Sequence, residues 1–230
     1  KALFPIGHLQ KSEVRKIATE LNLVTAEKKD SQGLCFVGQI SLPDFLQQKL
    51  VAKEGQFLEV SSEYEPFIAK RKITVSPENV VELSKPYFYV KQVGTLKGKH
   101  NGAHFFTIGQ RKGLQIGGTS EPLFVIATDV NENIIYTGLG EHHPGLYRSA
   151  LFINLPDVHW LREDLRLKTG ETKSVDCRIR YRQPLQKSML IMKDEGLYIL
   201  FDTPQKGVTP GQFAAWYEGE ALLGSGILFN

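Results

Sequence analysis

The feature that most constrains the fold is the pattern that begins after Leu50. From there the sequence is a series of short segments rich in β-branched and aromatic residues, broken by Gly, Pro or Asn-Gly. Such segments predict β-strands joined by tight turns, and their close spacing favours a small closed barrel or a sandwich. The predicted strands are FLEVSS, PFIAKRKITV, PYFYVKQVG, FFTIG, PLFVIATDV, NIIYTGLG, VDCRIRYRQ, SMLIMK, GLYILFD, FAAWYEG and ALLGSGILF.

The segment VDCRIRYRQ alternates strictly enough to assign its two faces. The alternation separates two sets of side chains: Val175, Cys177, Ile179 and Tyr181 on one face, and Asp176, Arg178, Arg180 and Arg182 on the other. Cys177 is buried between Val175 and Ile179 in this pattern, and Tyr181 is a possible stacking surface beside the arginines. Cys177 is therefore predicted to be structural. Alternate positions of a strand lie about 7 Å apart, close to the phosphate spacing of an extended nucleic acid. The arginine face thus predicts either an RNA contact or a solvated edge that discourages strand pairing.

The first part of the chain has a helical pattern instead. One apolar stripe predicts a helix in which Ser12 caps the N-terminus and Glu13 lies in the first turn; its members are Val14, Ile17, Ala18 and Leu21. A second short helix is predicted from Ser41 to Leu50, with Pro43 in its first turn. We divide the chain into a helical part (1–54), a mostly β middle domain (55–145) and a C-terminal β-barrel (146–230).

Composition limits the class of protein only broadly. The net charge is +3, but the segment from Glu65 to Lys112 contains nine basic and three acidic residues. Such a local excess predicts either the binding of a polyanion or a solvated lysine-rich surface. The two cysteines lie 142 positions apart without metal-ligand spacing, so neither a disulfide scaffold nor a metal site is predicted. No apolar run approaches the roughly 20 residues that span a bilayer. The reducing cytoplasm is the expected compartment.

Two loops carry candidate functional residues. Cys35 follows Lys28, Lys29 and a glycine, a setting that lowers the pKa of a thiol and exposes it, although a buried cysteine in the apolar burst LCFV is the alternative. The segment FTIGQRKGLQIGG contains four glycines and offers Arg111 and Lys112 to phosphate, or it is a plain connection between strands.

Five motifs occur in an order that resembles the tRNA-specific 2-thiouridylases. They are FPIGHLQKSEVRKIA, KKDSQGLCFVG, FTIGQRKGLQIGG, RYRQ and FDTPQKGVTPGQFAAWYEGEALLGSGIL. The resemblance implies a mainly β protein with a small helical remnant, the tail end of an α/β PP-loop domain, followed by a central β domain and a C-terminal β-barrel. The family's ATP-binding S-G-G-x-D-S loop does not occur here, so we expect a C-terminal fragment that is inactive alone.

The resemblance also implies a chemistry. The family uses ATP with Mg to adenylate C2 of the wobble uridine of tRNA, and sulfur then displaces AMP to give 2-thiouridine. Cys35 matches the family's second catalytic cysteine, which receives a persulfide from a sulfur-carrier protein and forms a disulfide with the first, absent here. Contacts with tRNA fall on Arg180, Tyr181 and Gln212, and we add Arg111 and Lys112 on charge alone.

Other consequences and departures follow from the same resemblance. No cofactor is expected in this fragment, which is predicted to be a cytoplasmic monomer without membrane attachment. About 40 residues, roughly 56–95, match the family poorly, and Phe106 replaces its usual tyrosine. Two alternatives stay open: a non-catalytic RNA-binding module with a structural cysteine, and a translation-factor-like barrel that binds a protein.

Overall fold

The computed structural model describes residues 3–28, 51–181 and 183–229. The chain forms two compact units, residues 1–51 and 52–230. Strands predominate, and one large curled sheet accompanies a smaller one, so the prediction of a mainly β fold with a small helical part is confirmed. No helix in the described ranges combines the length and the apolar character needed to cross a membrane.

The first unit contains helix α1 (Lys11–Glu20). Its N-cap is Gln10 rather than the predicted Ser12, because the Glu13 carboxylate accepts the Gln10 backbone N–H at 2.7 Å and so starts the helix two residues earlier. The helix predicted at 41–50 lies outside the described residues.

The middle of the chain forms a four-stranded sheet in the order β2-β1-β4-β3. Its strands are β1 (Gly55–Val60), β2 (Gly94–His100), β3 (Leu123–Asp129) and β4 (Ile134–Leu139). Strands β1 and β4 are parallel, whereas the β1–β2 and β3–β4 pairs are antiparallel. Phe57, Val125 and Ile135 are fully buried and form the core on one face of the sheet.

Three of the predicted strands are wrong. PFIAKRKITV contains helix α2 (Glu65–Arg71), because Pro66 and Glu65 suit the first turn and the two cations at its end suit the last. PYFYVKQVG and FFTIG contain only short 3₁₀ turns before or after β2. The aromatic residues that suggested strands pack edge-to-face instead, as Tyr87 does against the buried Phe67 at 4.7 Å between ring centroids.

A short helix joins this region to the barrel. Helix α3 (Val80–Ser84) buries Val80 and Leu83 against Ala150 and Leu200 on the outer face of the larger sheet. The poorly matching stretch 56–95 therefore contributes one strand, the start of another and two helices, and its apolar side chains are used in packing.

The C-terminal part is a seven-stranded antiparallel sheet in the order β5-β9-β8-β7-β10-β11-β6. Its strands are β5 (Tyr147–Asn154), β6 (Val158–Trp160), β7 (Thr172–Arg178), β8 (Gln186–Lys193), β9 (Gly196–Lys206), β10 (Phe213–Glu218) and β11 (Ala221–Ile227). The sheet curls on itself. The Phe229 N–H, just after β11, donates to the carbonyl of Phe152 on β5 at 3.0 Å and so links the two ends of the strand order. Trp216 is fully buried inside the curl.

Cys177 lies in this core, as predicted. Its side chain is fully buried on β7, and burial raises the pKa of the thiol to about 12. The thiolate is therefore scarce at neutral pH, and Cys177 acts as a small apolar residue.

Protonation of one buried histidine is expected to destabilise the middle sheet in acid. The His143 Nδ1 accepts the Gly145 N–H at 3.2 Å and its Nε2 lies 3.1 Å from the Val60 carbonyl, so the neutral ring satisfies both neighbours. Burial lowers the pKa of His143. The unfolded chain then binds the extra proton first, and stability should fall as pH drops below about 6.5, by at most about 1.4 kcal/mol per pH unit.

Chemical denaturation at pH 7.5 and pH 5 measures this effect. The variant His143→Gln removes the contribution of this ring and should reduce the loss of stability, while His100, whose pKa burial also lowers, keeps its own contribution. His142→Gln, which changes an exposed ring, should leave the loss unchanged. An identical pH slope in all three proteins would rule out His143 as the cause.

Candidate nucleic-acid interface

A groove of about 390 Å³ opens where β7 ends beside the start of β10. The two strands are antiparallel neighbours, with Arg178 opposite Ala215. This arrangement brings three predicted site residues together on one surface. The residues lining the groove are Arg178, Ile179, Arg180, Tyr181, Gln212, Phe213 and Ala215.

A relay of side-chain amides holds the turn that follows β7. The Ile179 N–H donates to Gln183 Oε1 at 3.0 Å, and Gln183 Nε2 donates to Gln205 Oε1 at 2.8 Å. Gln205 is buried and donates in turn to the Thr203 carbonyl at 2.6 Å. Since each amide both donates and accepts, the relay fixes the backbone that presents Arg180.

Arg180 is anchored on the opposite loop. Its guanidinium donates to the carbonyl of Gly207, and the Gly207 N–H donates to the Leu146 carbonyl at 2.7 Å. Gly207 has φ +65°, and a Cβ there would lie 2.7 Å from the Arg180 guanidinium nitrogen. Only glycine satisfies both the backbone and the contact. Residue Arg180 as a whole is nevertheless exposed.

Two aromatic rings line the groove near this cation. Tyr181 is 87% exposed and Phe213 is 60% exposed. The alternation puts Tyr181 on the same face as Cys177, but β7 stops at Arg178 and the chain turns before the alternation reaches Tyr181, so its ring is exposed, as a stacking surface requires. Exposed rings of this kind are surfaces on which unpaired bases stack.

Gln212 follows a glycine turn. The Gln212 N–H donates to the Thr209 carbonyl at 3.3 Å, and Gly211 between them has φ +82°, as position three of such a turn requires. The side-chain Oε1 is buried and accepts no hydrogen bond from the described part of the chain. The side chain lines the groove, but this oxygen itself has almost no accessible surface.

Arg111 and Lys112 lie on a loop that contacts the same region. Gln110 shapes this loop, since its side chain accepts from the Thr107 N–H at 3.1 Å and donates to the Lys112 carbonyl at 2.9 Å. Both cations are exposed. Gly109 lies beside Gly207, since a Cβ on Gly109 would be in ordinary van der Waals contact with the Gly207 Cα at 3.5 Å. The loop thus lies next to the residue that anchors Arg180.

The wider basic excess of residues 65–112 is partly neutralised. Ion pairs join Lys85 to Glu82 at 2.5 Å, Lys97 to Glu59 at 3.2 Å and Lys99 to Glu54 at 2.8 Å. The prediction from charge counting overlooked two of these carboxylates, which precede Glu65 in the sequence. The cations that lie at the groove or its neighbouring loop are Arg178, Arg180, Arg111 and Lys112.

Sequence reasoning missed several residues of the groove. Phe213 belongs to a strand pattern and gives no signal of exposure, and Gln183 and Gln205 are polar residues whose partners are distant in sequence. Arg178 was predicted only as part of a basic face; its guanidinium carbon lies 5.2 Å from the Tyr217 ring centroid. Cys35, Lys29 and Arg182 lie outside the described residues.

Comparison with known proteins decides the family. Three family models match in succession: a tRNA methyl transferase HUP domain (residues 1–39), a tRNA methyl transferase PRC-barrel domain (67–139) and an aminomethyltransferase beta-barrel domain (152–228). The tRNA-specific 2-thiouridylase MnmA of Christiangramia forsetii is 56% identical over 99% of this chain and 58% of its own length. The chain belongs to the tRNA-specific 2-thiouridylase family.

Other members of the 2-thiouridylase family match along the same span. The Flavobacterium johnsoniae protein is 55% identical and the Bacillus subtilis protein is 38% identical, each over 99% of this chain. The chain spans 58% of the length of the two more similar relatives and 52% of the third. The family predicted from the five motifs is thereby confirmed.

Proposed function

We propose that this chain provides the tRNA-binding barrel and the sulfur-carrying cysteine of a tRNA 2-thiouridylase, a sulfurtransferase. The observation that carries the proposal is the groove at the end of β7, where a cation, an aromatic ring and an amide side chain converge. Arg180 supplies charge for a phosphate, Tyr181 supplies a stacking surface and Gln212 supplies a polar edge. The order of the five motifs supports the same assignment.

The proposed chemistry separates activation from sulfur delivery. ATP supplies activation of the uridine C2 oxygen as an adenylate, and the sequence contains no S-G-G-x-D-S loop to which we would assign ATP or Mg contacts. Cys35 receives a sulfane sulfur from a sulfur-carrier protein as a persulfide. That sulfur forms the new bond to C2 while AMP leaves with the former C2 oxygen. A second cysteine of the complete protein releases the sulfur by forming a disulfide with Cys35.

The barrel has a separate task in this proposal. It holds tRNA through phosphate and base contacts, so that binding does not depend on the cysteine. The natural compartment is the cytoplasm, whose reducing conditions reduce the disulfide and regenerate the two thiols for the next cycle. We propose that the protein acts as a monomer with tRNA and the sulfur carrier as its partners.

Replacing Arg180 with alanine is expected to weaken tRNA binding by roughly 10- to 100-fold at low salt, because a charge-assisted contact is worth about 1.5–3 kcal/mol. Fluorescence titration with labelled tRNA over a range of salt concentrations measures both the affinity and its salt slope. The slope should fall by about one ion in the variant.

Arg166→Ala is the matched control. Arg166 is also an exposed arginine of the C-terminal part, but it pairs with Glu163 at 3.7 Å and does not line the groove. Equal losses in the two variants would indicate only a non-specific effect of net charge. An unchanged affinity of Arg180→Ala for tRNA would show that the groove is not part of the tRNA-binding site.

A further inference from the structure

A second basic cleft, separate from the groove, lies between the last turn of α2 and the start of β5. Its volume is about 180 Å³, enough for several water-sized volumes of about 30 Å³. Lys70, Arg71 and Arg148 line it together with the hydroxyl-bearing residues Tyr87 and Ser149. None of the five motifs includes these residues.

The end of helix α3 holds two of the cations in place. The Lys70 ammonium donates to the Leu83 carbonyl at 3.3 Å and to the Lys85 carbonyl, and the Arg148 guanidinium donates to the Ser84 carbonyl. These carbonyls are the unsatisfied acceptors of a helix C-terminus. The two side chains are therefore fixed before any ligand arrives. Arg71, by contrast, is exposed at the cleft.

The charges around Lys70 are unbalanced. Arg148 and Lys85 act on it as like charges, and the one carboxylate that acts on it within the described ranges, Glu82, already pairs with Lys85 at 2.5 Å. Burial and Arg148 lower the pKa of Lys70 to about 8, so the ammonium still carries its proton for most molecules at neutral pH. Cations held close together in a half-buried cleft repel one another, and a bound anion would offset this repulsion.

We propose that this cleft binds a phosphate group. Guanidinium groups match the oxygens of a phosphate in pairs, an ammonium adds a point charge, and the hydroxyls supply further donors. Such a group is carried by the backbone of RNA or by free phosphate. In the RNA case the inference rests on the proposed function, and tRNA would then contact the protein at two places.

The backbone connects the two places. Gly207, which accepts the Arg180 guanidinium, donates its own N–H to the carbonyl of Leu146, two residues before Arg148. Gly207, which anchors Arg180 at the groove, is thus joined by one hydrogen bond to Leu146, directly before the strand β5 that carries Arg148 of the cleft.

The test compares Arg71→Gln with Lys72→Gln. The two residues are adjacent and exposed, and each substitution removes one positive charge, but only Arg71 lines the cleft. Neither side chain caps α3, so both variants should fold. Inorganic phosphate is titrated into the 230-residue chain at constant ionic strength, followed by NMR of backbone amides. We expect saturable shifts at Ser149 and Arg71, with affinity about tenfold weaker in Arg71→Gln and unchanged in Lys72→Gln.

A parallel titration with tRNA separates the sources of the phosphate. A loss of tRNA affinity in Arg71→Gln beyond that in Lys72→Gln assigns the cleft to RNA, whereas an effect on inorganic phosphate alone assigns it to a free anion. If the two variants bind phosphate equally well and also bind tRNA equally well, the proposal that the cleft binds a phosphate group is refuted. If Arg180→Ala still weakens tRNA binding in that case, the proposed function stands without the cleft. If no variant affects tRNA while Arg71→Gln weakens phosphate binding, the cleft stands and the proposed function fails.

Discussion

Replacing Cys35 with serine in the complete protein is expected to abolish sulfur transfer to tRNA while leaving tRNA affinity nearly unchanged. A serine hydroxyl has almost the volume of the thiol but cannot carry a persulfide, so the sulfur has no covalent carrier. Single-turnover assays that follow labelled sulfur into tRNA should show a loss at the detection limit. Equilibrium binding of tRNA, measured on the same preparation, should change less than about twofold because the groove at the end of β7 is untouched.

Cys177 provides the internal control for this result. It is fully buried and its pKa is raised to about 12, so limiting alkylating reagent should label Cys35 well before Cys177 in the native chain. Cys177→Val roughly conserves volume in the core and should keep activity at a cost below about 1.5 kcal/mol of stability. An active Cys35→Ser enzyme, or equal labelling of the two thiols, would refute the assignment and favour an RNA-binding module with a structural cysteine.

Replacing Gly207 with alanine is expected to weaken tRNA binding by about tenfold or more. The new Cβ would lie 2.7 Å from the Arg180 guanidinium, which must move away, whereas its distance of 3.6 Å from the Gly109 Cα is an ordinary contact. The substitution therefore displaces the guanidinium of Arg180 from its anchor. The measurement is tRNA affinity at fixed salt together with the free energy of unfolding, which should fall by about 1–2 kcal/mol because φ is +65°.

Gly219→Ala separates the displacement of Arg180 from backbone strain. Gly219 has φ +58°, close to the value at Gly207, but nothing lies within 4 Å of its added Cβ. Both variants should therefore lose a similar amount of stability, and only Gly207→Ala should lose tRNA affinity. If the two proteins bind tRNA equally well, the Gly207 contact does not orient Arg180 for binding.

Local patterns were sufficient for much of the barrel and for the candidate residues. Strict alternation placed Val175, Cys177 and Ile179 in the core, because one face of a strand in a closed sheet is buried throughout. It does not extend to Tyr181, because the strand has already ended at Arg178 and the chain turns. Alternation in the sequence continues for four residues beyond Arg178, to Arg182, and no local signal marks the end of the strand.

The remaining features depend on contacts between distant residues. Glu65–Arg71 reads as a strand by its aromatic and β-branched content, yet Phe67 is buried in an aromatic cluster by forming a helix. The amide relay joins Gln183 to Gln205 across 22 positions, and neither glutamine differs by composition from a surface residue. Sequence thus indicated which residue types could meet RNA, whereas tertiary contacts determine how they are held.

The carbonyl that anchors Arg180 is electrically neutral. A carboxylate would hold the guanidinium just as firmly, but it would cancel the charge that a polyanion senses at longer range. With a backbone acceptor the arginine keeps its full charge, and no nearby acid has to be deprotonated for the anchor to form. The electrostatic attraction between Arg180 and RNA should therefore be the same at mildly acidic and at neutral pH. An acidic substitution at a neighbouring exposed position would weaken this attraction while the loop keeps its conformation.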